Sequence, residues 1–138
     1  MKVHNCEIRV RYGETDQMGR VHHASYVHYL EIARIEMLRE LGHAYSGIEA
    51  DGFLLPVIDL SIQYKGVVIY DDIITVETKA SINGRIRMDF SYRLWCGEIL
   101  VGEASVQLAC LNKGTANSQN WIADKNPLAF SAVTETCI

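Results

Sequence analysis

One long stretch without proline or glycine is the feature that most restricts how this chain can fold. It runs from Tyr26 to Leu41, with Arg39 near its end and Gly42 directly after it, as is typical of an α-helix. Ser25 precedes it as the expected N-cap, and at a rise of about 1.5 Å per residue the helix would be about 24 Å long. Its apolar positions form more than a narrow stripe, so we expect other elements to enclose it. These positions are Tyr26, Val27, Tyr29, Leu30, Ile32, Ala33, Ile35, Met37, Leu38 and Leu41.

After this helix, the spacing of apolar residues changes from a period near 3.6 to a period of 2, which is typical of half-buried β-strands. A short second helix within His43–Gly52 is the last helical segment that we expect. One alternating segment, Cys6–Tyr12, also precedes the long helix. The alternation predicts five strands in all: Cys6–Tyr12, Ile58–Tyr64, Ile74–Ala80, Ile86–Leu94 and Ile99–Leu111.

Two short sequences predict how the later strands are connected. Asn83-Gly84 is a strong signal for a two-residue hairpin, and Gly97-Glu98 predicts the next turn. One buried helix followed by an antiparallel meander is an α+β arrangement, in which a strongly curved sheet wraps the helix. The length of 138 residues predicts a single domain over 1–138. No pattern in 113–138 predicts a helix or a strand there.

Composition excludes several classes of protein. Apolar residues make up 49% of the chain and charged residues 22%, which supports one core and argues against disorder, collagen or a coiled coil. Lys and Arg number 13 against 17 Asp and Glu, a formal net charge of -4 without any basic block, so we expect no nucleic-acid partner. No apolar run approaches the ~20 residues that span a bilayer, so we expect no membrane span.

The cysteines favour a reducing compartment. They are Cys6, Cys96, Cys110 and Cys137, which are widely spaced and form no CxxC pair. No secretory hydrophobic segment follows the first two residues. We therefore expect a cytoplasmic protein with reduced thiols.

Asp16 is the carboxylate best placed for chemistry. It lies between Gly13 and Gly19, in a polar segment that we expect to form an ordered loop just before the long helix. The first amides of that helix, near His23–Tyr26, lack intrahelical partners and would polarise a carbonyl oxygen bound there. An oxyanion site beside a carboxylate that acts as nucleophile or general base is the pairing that acyl transfer needs. The alternative is that Asp16 only forms the turn.

Histidines near the helix start raise the question of a metal site. His28 and Glu31 share a helix face, whereas His22 and His23 are adjacent and precede the helix, and no HExxH motif or cysteine pair completes a ligand set. We therefore expect no metal, and we interpret His23 as a polar partner of Asp16. The other interpretation is that these are ordinary histidines at a helix start.

Other charged residues are candidates for substrate contacts. Glu31 and Arg34 lie three apart on a largely apolar helix, so they form a structural ion pair or Glu31 faces a substrate channel. Arg85 and Arg87 follow the predicted hairpin on its outward face. Together with Lys65 they could hold phosphates, although outward charges on strands are usually only solvated.

Two neighbouring segments together resemble a known family. The first is Val10–Val21, with the sequence VRYGETDQMGRV, and the second is His23–Arg34, with the sequence HASYVHYLEIAR. They are similar to the 4-hydroxybenzoyl-CoA thioesterase family of hotdog-fold proteins, and within it to the YbgC-like acyl-CoA thioesterases. The resemblance implies a long helix wrapped by a curved antiparallel sheet, and hydrolysis of an acyl-CoA thioester to a free acid and CoA.

The resemblance also implies roles for particular residues. Asp16 matches the catalytic carboxylate, His23 matches the histidine whose amide faces the thioester oxygen, and Tyr12 matches an aromatic residue ahead of the acidic loop. Active sites of the family form between two subunits, which implies a homodimer or homotetramer. Basic residues such as Arg85 and Arg87 would then meet the CoA phosphates. No metal or redox cofactor is implied, because CoA is part of the substrate.

The chain departs from the family pattern at three places. Glu14 stands where many members have Asp, Gln17-Met18 replaces small residues, and 113–138 matches no family feature.

The sequence leaves two other functions open. One is a hotdog dehydratase acting on acyl carrier protein, with Glu31 and His28 as its acid and base. The other is a noncatalytic module that binds an acyl-CoA or acyl carrier. The sequence does not indicate whether the acyl group is aliphatic or aromatic.

Overall fold

The computed structural model describes residues 3–42, 44–84 and 86–112, which contain two helices and seven strands. The helices are α1 (Ser25–Glu40) and α2 (Tyr45–Ala50). The strands are β1 (His4–Arg9), β2 (Phe53–Leu54), β3 (Val57–Tyr64), β4 (Ile73–Asn83), β5 (Arg87–Cys96), β6 (Ile99–Ala109) and β7 (Leu111–Asn112). This element order confirms the predicted α+β class, with one long helix ahead of a meander.

Five antiparallel strands form the main sheet, in the order β1-β4-β5-β6-β3. Strands β2 and β7 pair separately beside α2. The first strand of the chain therefore lies at one edge, and β3 lies at the other. Because β4, β5 and β6 are sequential hairpin neighbours, the centre of the sheet forms from local connections, as the meander pattern predicts.

The core lies between α1 and the inner face of the sheet. Alternate residues of the central strands point inward and are buried, as the period of 2 predicts. The helix contributes its own buried residues to the same cluster. Prominent members of this core are Tyr29, Leu30, Met37, Leu38, Ile74, Val76, Met88, Phe90, Leu94 and Leu108.

The first strand is shorter than the predicted Cys6–Tyr12. Strand β1 ends at Arg9, and Tyr12–Glu14 form one turn of 3-10 helix. The amide of Arg11 donates to Oε1 of Glu14 at 2.7 Å. In a longer strand, this amide would pair with the adjacent strand of the sheet. A side chain three residues ahead therefore ends the strand.

The predicted N-cap at Ser25 is wrong. Ala24 occupies the N-cap position, and Ser25 is the first residue of α1. The Oγ of Ser25 donates to the carbonyl of Glu14 at 2.9 Å, so the hydroxyl ties the helix to the preceding loop instead of capping the helix. At the other end the expectation is confirmed, because Gly42 takes the left-handed conformation with φ of 85°.

The turn after β4 is longer than the predicted two-residue hairpin. Asn83 stays in the strand and pairs with Arg87, so three residues separate the paired ends. Gly84 supplies the left-handed conformation with φ of 73°. The second predicted turn is confirmed, because Cys96 pairs with Ile99 across Gly97-Glu98.

Candidate active site

The segment Tyr12–His23, which we call the Asp16 loop, folds back on itself between β1 and α1. The carbonyl of Glu14 accepts from the amide of His22 at 2.9 Å, and Thr15 forms a β-bridge with Val21. The amide of Asp16 donates to the carbonyl of Arg20 at 2.8 Å. These three pairings make a short antiparallel ladder, which confirms that the polar segment is an ordered loop.

Asp16 closes the tip of this loop with one carboxylate oxygen. Its Oδ1 accepts from the amides of Met18 at 2.9 Å and of Arg20 at 3.3 Å. Gly19, with φ of 80°, allows the tight reversal. Within the described residues, Oδ2 accepts no hydrogen bond, and the side chain is only partly buried. Asp16 therefore forms the turn with one carboxylate oxygen, while its other oxygen has no partner among the described residues.

His23 lies at the point where the loop enters α1. Its exposed ring stacks on the ring of His22, with centroids 4.1 Å apart. Nδ1 of His22 accepts from the amide of Ala24 at 3.0 Å, which requires that nitrogen to carry no proton. His22 thus supports the turn before the helix through its own side chain.

The amides at the start of α1 are only partly used. The amide of Ser25 donates to His22 and that of Val27 donates to Ala24. In the part of the chain that the structure describes, the amides of His23 and Tyr26 find no acceptor. They are donors at the positive end of a helix, which is the arrangement that an oxyanion site needs.

Tyr64 is a residue of this region that the sequence interpretation missed. It lies at the end of β3, and its hydroxyl donates to the carbonyl of His23 at 2.9 Å. Its ring also meets the ring of Tyr26 edge-on at 5.0 Å. The two partners are 41 residues apart in the chain, so no local pattern could have indicated the contact.

Glu14 connects the Asp16 loop to the core. Its Oε1 accepts from the hydroxyl of Tyr29 at 3.0 Å, and its Oε2 accepts from Nη2 of Arg11 at 3.0 Å. Burial by itself would raise the pKa of Glu14, but the hydrogen bonds from Arg11 and Tyr29 outweigh it and hold that pKa below its ordinary value. Burial and the bond to Glu14 raise the pKa of Tyr29, so its hydroxyl stays a donor.

Large apolar side chains are exposed on the Asp16 loop and on the segment that contacts it, 67–70. Tyr12 is 78% exposed and meets Tyr70 edge-on, with ring centroids 5.6 Å apart. Met18 on the loop is also large, apolar and exposed, as are Val67 and Ile69, which precede Tyr70. The loop is tied to that second segment by a β-bridge between Arg20 and Ile69. Tyr12 therefore lies in the same region as Asp16 and His23, as the sequence predicts.

The predicted phosphate contacts are not brought together within one chain. Lys65 follows β3, where Tyr64 pairs with Gly102, whereas Arg87 opens β5 and pairs with Ala109. Seven residues along β6 separate those two positions, which at about 3.3 Å per residue is roughly 23 Å. Arg85 lies outside the described residues. One copy of the chain therefore cannot direct Lys65 and Arg87 at a single phosphate.

Lys65 and Glu31 occupy different surroundings. The Nζ of Lys65 lies 3.7 Å from Oε2 of Glu103, and its side chain is 42% exposed. Glu31 is exposed on α1, about a turn and a half beyond the first helical residue. Both side chains are therefore exposed to solvent.

Glu31 and Arg34 do not form the ion pair that their spacing allows. Arg34 points toward the sheet and is buried, with its Nη1 donating to the hydroxyl of Tyr92 at 3.3 Å. The guanidinium also lies 5.9 Å from the centre of the Phe90 ring. Glu31 stays exposed to solvent, and the inward turn of the buried Arg34 side chain leaves the two charges unpaired within the described residues.

Three shallow hollows, of about 250, 320 and 210 Å³, lie along the outer face of the sheet, and Asp16 lines none of these three. Polar side chains line them, including Lys79, Ser91 and Ser105. No group of three or more His, Cys, Asp or Glu side chains in the described ranges is arranged to hold a metal ion.

Comparison with known proteins identifies the family. The sequence profile of the thioesterase superfamily matches residues 18–103. The chain belongs to the thioesterase superfamily. Membership confirms two sequence-based predictions, namely the α+β hotdog fold and the class of thioester hydrolases.

Individual relatives extend over most of the chain. YneP of Bacillus subtilis is 36% identical over 115 residues, which are 82% of this chain and 83% of that protein. The acyl-CoA thioesterase YbgC of Haemophilus influenzae is 34% identical over 108 residues, covering 78% of this chain and 79% of that one. The crystal structure of a DHNA-CoA thioesterase from Staphylococcus aureus has a TM-score of 0.84 and 29% identity, covering 96% of this chain and 91% of that chain.

Among the residues that the structure describes, no helix has the length and hydropathy needed to cross a membrane.

Proposed function

We propose that this chain hydrolyses acyl-CoA thioesters to a free acid and CoA, with Asp16 as its reacting carboxylate. The observation that carries this proposal is the Oδ2 of Asp16, which accepts no hydrogen bond from the described residues and belongs to the loop that leads directly into α1. The amides of His23 and Tyr26, at the start of that helix, likewise find no acceptor among the described residues. The names of relatives such as YbgC support the acyl-CoA substrate. The likeness to a DHNA-CoA thioesterase supports it as well.

The proposed reaction divides the work between the carboxylate and the amides. The amide of His23 or of Tyr26 donates to the thioester oxygen, which becomes negatively charged as the tetrahedral intermediate forms. As a general base, Asp16 takes a proton from water, the water oxygen bonds to the carbonyl carbon, the C–S bond breaks, and the CoA thiolate takes the proton. The side chain of His23 orients Asp16 or the water.

As a nucleophile, Asp16 follows a different order of steps to the same products. One carboxylate oxygen bonds to the carbonyl carbon and expels the CoA thiolate, which leaves an acyl-aspartyl anhydride. Water then cleaves the anhydride and restores the carboxylate. Both routes consume one thioester and one water, and both give one acid and one thiol. Neither needs a metal or redox cofactor, so we propose that the enzyme uses none.

The remaining predicted residues belong to substrate binding in this proposal. Tyr12 lines the entrance to the site with its exposed ring, and Glu31 borders it on α1. Lys65 contacts phosphates of CoA in one copy of the chain, and Arg85 and Arg87 reach them from a second copy. The roughly 23 Å between Lys65 and Arg87 along the sheet is the reason for assigning them to different copies.

The test is thiol release from a panel of short, long and aromatic acyl-CoA thioesters, with and without EDTA. We expect hydrolysis of at least one class, unchanged by EDTA, with a higher KM for the matching acyl-pantetheine thioester, which lacks the adenosine phosphates. Saturable binding of acyl-CoA without thiol release would instead show a binding module. Hydrolysis of acyl carrier protein thioesters alone would make the carrier the partner.

We further propose a cytoplasmic homodimer or homotetramer. Strand β3 is an exposed edge of the sheet, with Val57, Ile58, Leu60 and Tyr64 each more than one third exposed. Such an edge leaves backbone donors and acceptors unpaired unless another chain covers it. Light scattering of active enzyme should give at least twice the 15.6 kDa of one chain. A monomer mass under conditions of full activity would contradict this assembly.

A further inference from the structure

The side chain of Glu14 is fully engaged inside the protein, although it lies only two residues from Asp16. Its Oε1 accepts from the Arg11 amide at 2.7 Å and from the Tyr29 hydroxyl at 3.0 Å. Its Oε2 accepts from Nε and Nη2 of the Arg11 guanidinium, at 3.2 and 3.0 Å. The side chain is 13% exposed. With two bonds on each oxygen, this carboxylate has no lone pair left for a thioester or a water.

The anchor for this carboxylate is the core of the protein. The ring of Tyr29 has no exposed surface, and it lies in the second turn of α1 against the sheet. Its hydroxyl reaches the loop, so the hydrogen bond joins a fully buried part of the helix to the Asp16 loop. A packed ring in its rotamer minimum has little freedom to follow a moving partner.

The main chain of Glu14 holds the other side of the same loop. Its carbonyl accepts both the amide of His22 and the Oγ of Ser25, each at 2.9 Å. The short ladder then continues through Thr15 to Asp16, whose amide donates to Arg20. A shift of Glu14 would therefore displace Asp16 and the His22–His23 segment at the same time.

We propose that Glu14 is a positioning residue, which fixes the Asp16 carboxylate relative to the first amides of α1 through its bonds to Tyr29, Arg11, His22 and Ser25. This inference rests on the proposed function. It assigns no proton transfer or bond formation to Glu14.

A double-mutant cycle of Tyr29→Phe and Glu14→Met tests the proposal, because each change removes one partner of the Tyr29–Glu14 hydrogen bond while nearly keeping the length of the side chain. We expect kcat to fall about tenfold in each single variant with KM changed less than about twofold, since misplacement of a reacting group lowers the rate of the chemical step. The kcat of the double variant should fall no further than that of Glu14→Met alone, because Glu14→Met already leaves the Tyr29 hydroxyl without its acceptor.

Tyr92→Phe is the matched control. It removes the same atom from another buried tyrosine, whose hydroxyl accepts from Arg34 far from the loop. We expect this variant to lose thermal stability to a similar degree while keeping the wild-type kcat. If kcat fell in proportion to the loss of thermal stability in both tyrosine variants, Glu14 would have only a structural role. That result would overturn the proposal.

Amide hydrogen exchange gives a readout that needs no turnover. The amides of Asp16 and His22 should exchange about tenfold faster in Tyr29→Phe than in the wild type, whereas those of β5 should not change. Unchanged exchange in the loop, wild-type kcat in Tyr29→Phe, or single effects that multiply in the double variant would each overturn the positioning role. A wild-type chain that cleaves no thioester would instead overturn the proposed function, whatever the exchange shows.

Discussion

Replacing Asp16 with asparagine should lower kcat for thioester hydrolysis by about two orders of magnitude or more, the loss typical of a principal catalytic group. Asparagine keeps an Oδ1 that can accept from the amides of Met18 and Arg20, so the turn at the loop tip should survive. The free carboxylate oxygen is replaced by an amide nitrogen, which neither attacks a carbonyl nor takes a proton from water. Steady-state thiol release beside a thermal unfolding curve measures both effects.

The matched control for this variant is Asp51→Asn. Asp51 follows α2, beyond the far end of α1 from the Asp16 loop, and it is exposed. The same chemical change there should leave kcat within about twofold of the wild type, as expected for a surface substitution away from the site. Equal turnover by Asp16→Asn and the wild type would remove Asp16 from the mechanism.

Replacing Phe90 with alanine should lower the free energy of unfolding by about 3–5 kcal/mol, which is the cost of removing a buried phenyl ring and leaving a cavity. Phe90 is 1% exposed and lies on β5, at the centre of the sheet. Its ring stacks on Tyr92, with centroids 6.3 Å apart, and lies beneath the Arg34 guanidinium. Loss of the ring would also leave that buried cation without its aromatic neighbour.

Denaturant unfolding at a fixed protein concentration measures this effect, because assembly makes the midpoint depend on concentration. Ile99→Ala is the control: its side chain is apolar but 67% exposed, so the change should stay within about 0.5 kcal/mol. A loss below about 1 kcal/mol in Phe90→Ala would show that the sheet and α1 close over the vacated space.

The long helix and the strands of the meander were predictable because their signals are local. A period of 3.6 or 2 records which side of an element faces the core, and Gly42 and Gly97 mark reversals that L side chains rarely adopt. The position of Asp16 in a loop before α1 was predictable for the same reason. So was the family, since its motif lies within about thirty consecutive residues.

The hydrogen-bond and ion-pair partners of individual side chains were not predictable, because each side chain could bond to more than one group. Ser25 has the chemistry of an N-cap, yet its hydroxyl bonds to Glu14 because the loop returns that carbonyl to the helix start. Glu31 and Arg34 have the spacing of an ion pair, yet burial turns Arg34 toward Tyr92. A sequence contains each partner but not the distance between them.

By itself, the sequence of this protein determined the long helix, five strands, the thioesterase family and Asp16 as the carboxylate to test. Only the tertiary structure placed β3 at the edge of the sheet beside β6, away from β4. It also decided that Asp16 uses one oxygen for the turn, while the other accepts no bond from the residues that the structure describes. It also decided that Tyr64 and Tyr29 brace the region around it, because those contacts join strands and helix across many intervening residues. Periodicity specifies which residues face inward, whereas only packing of the complete chain specifies which of them meet.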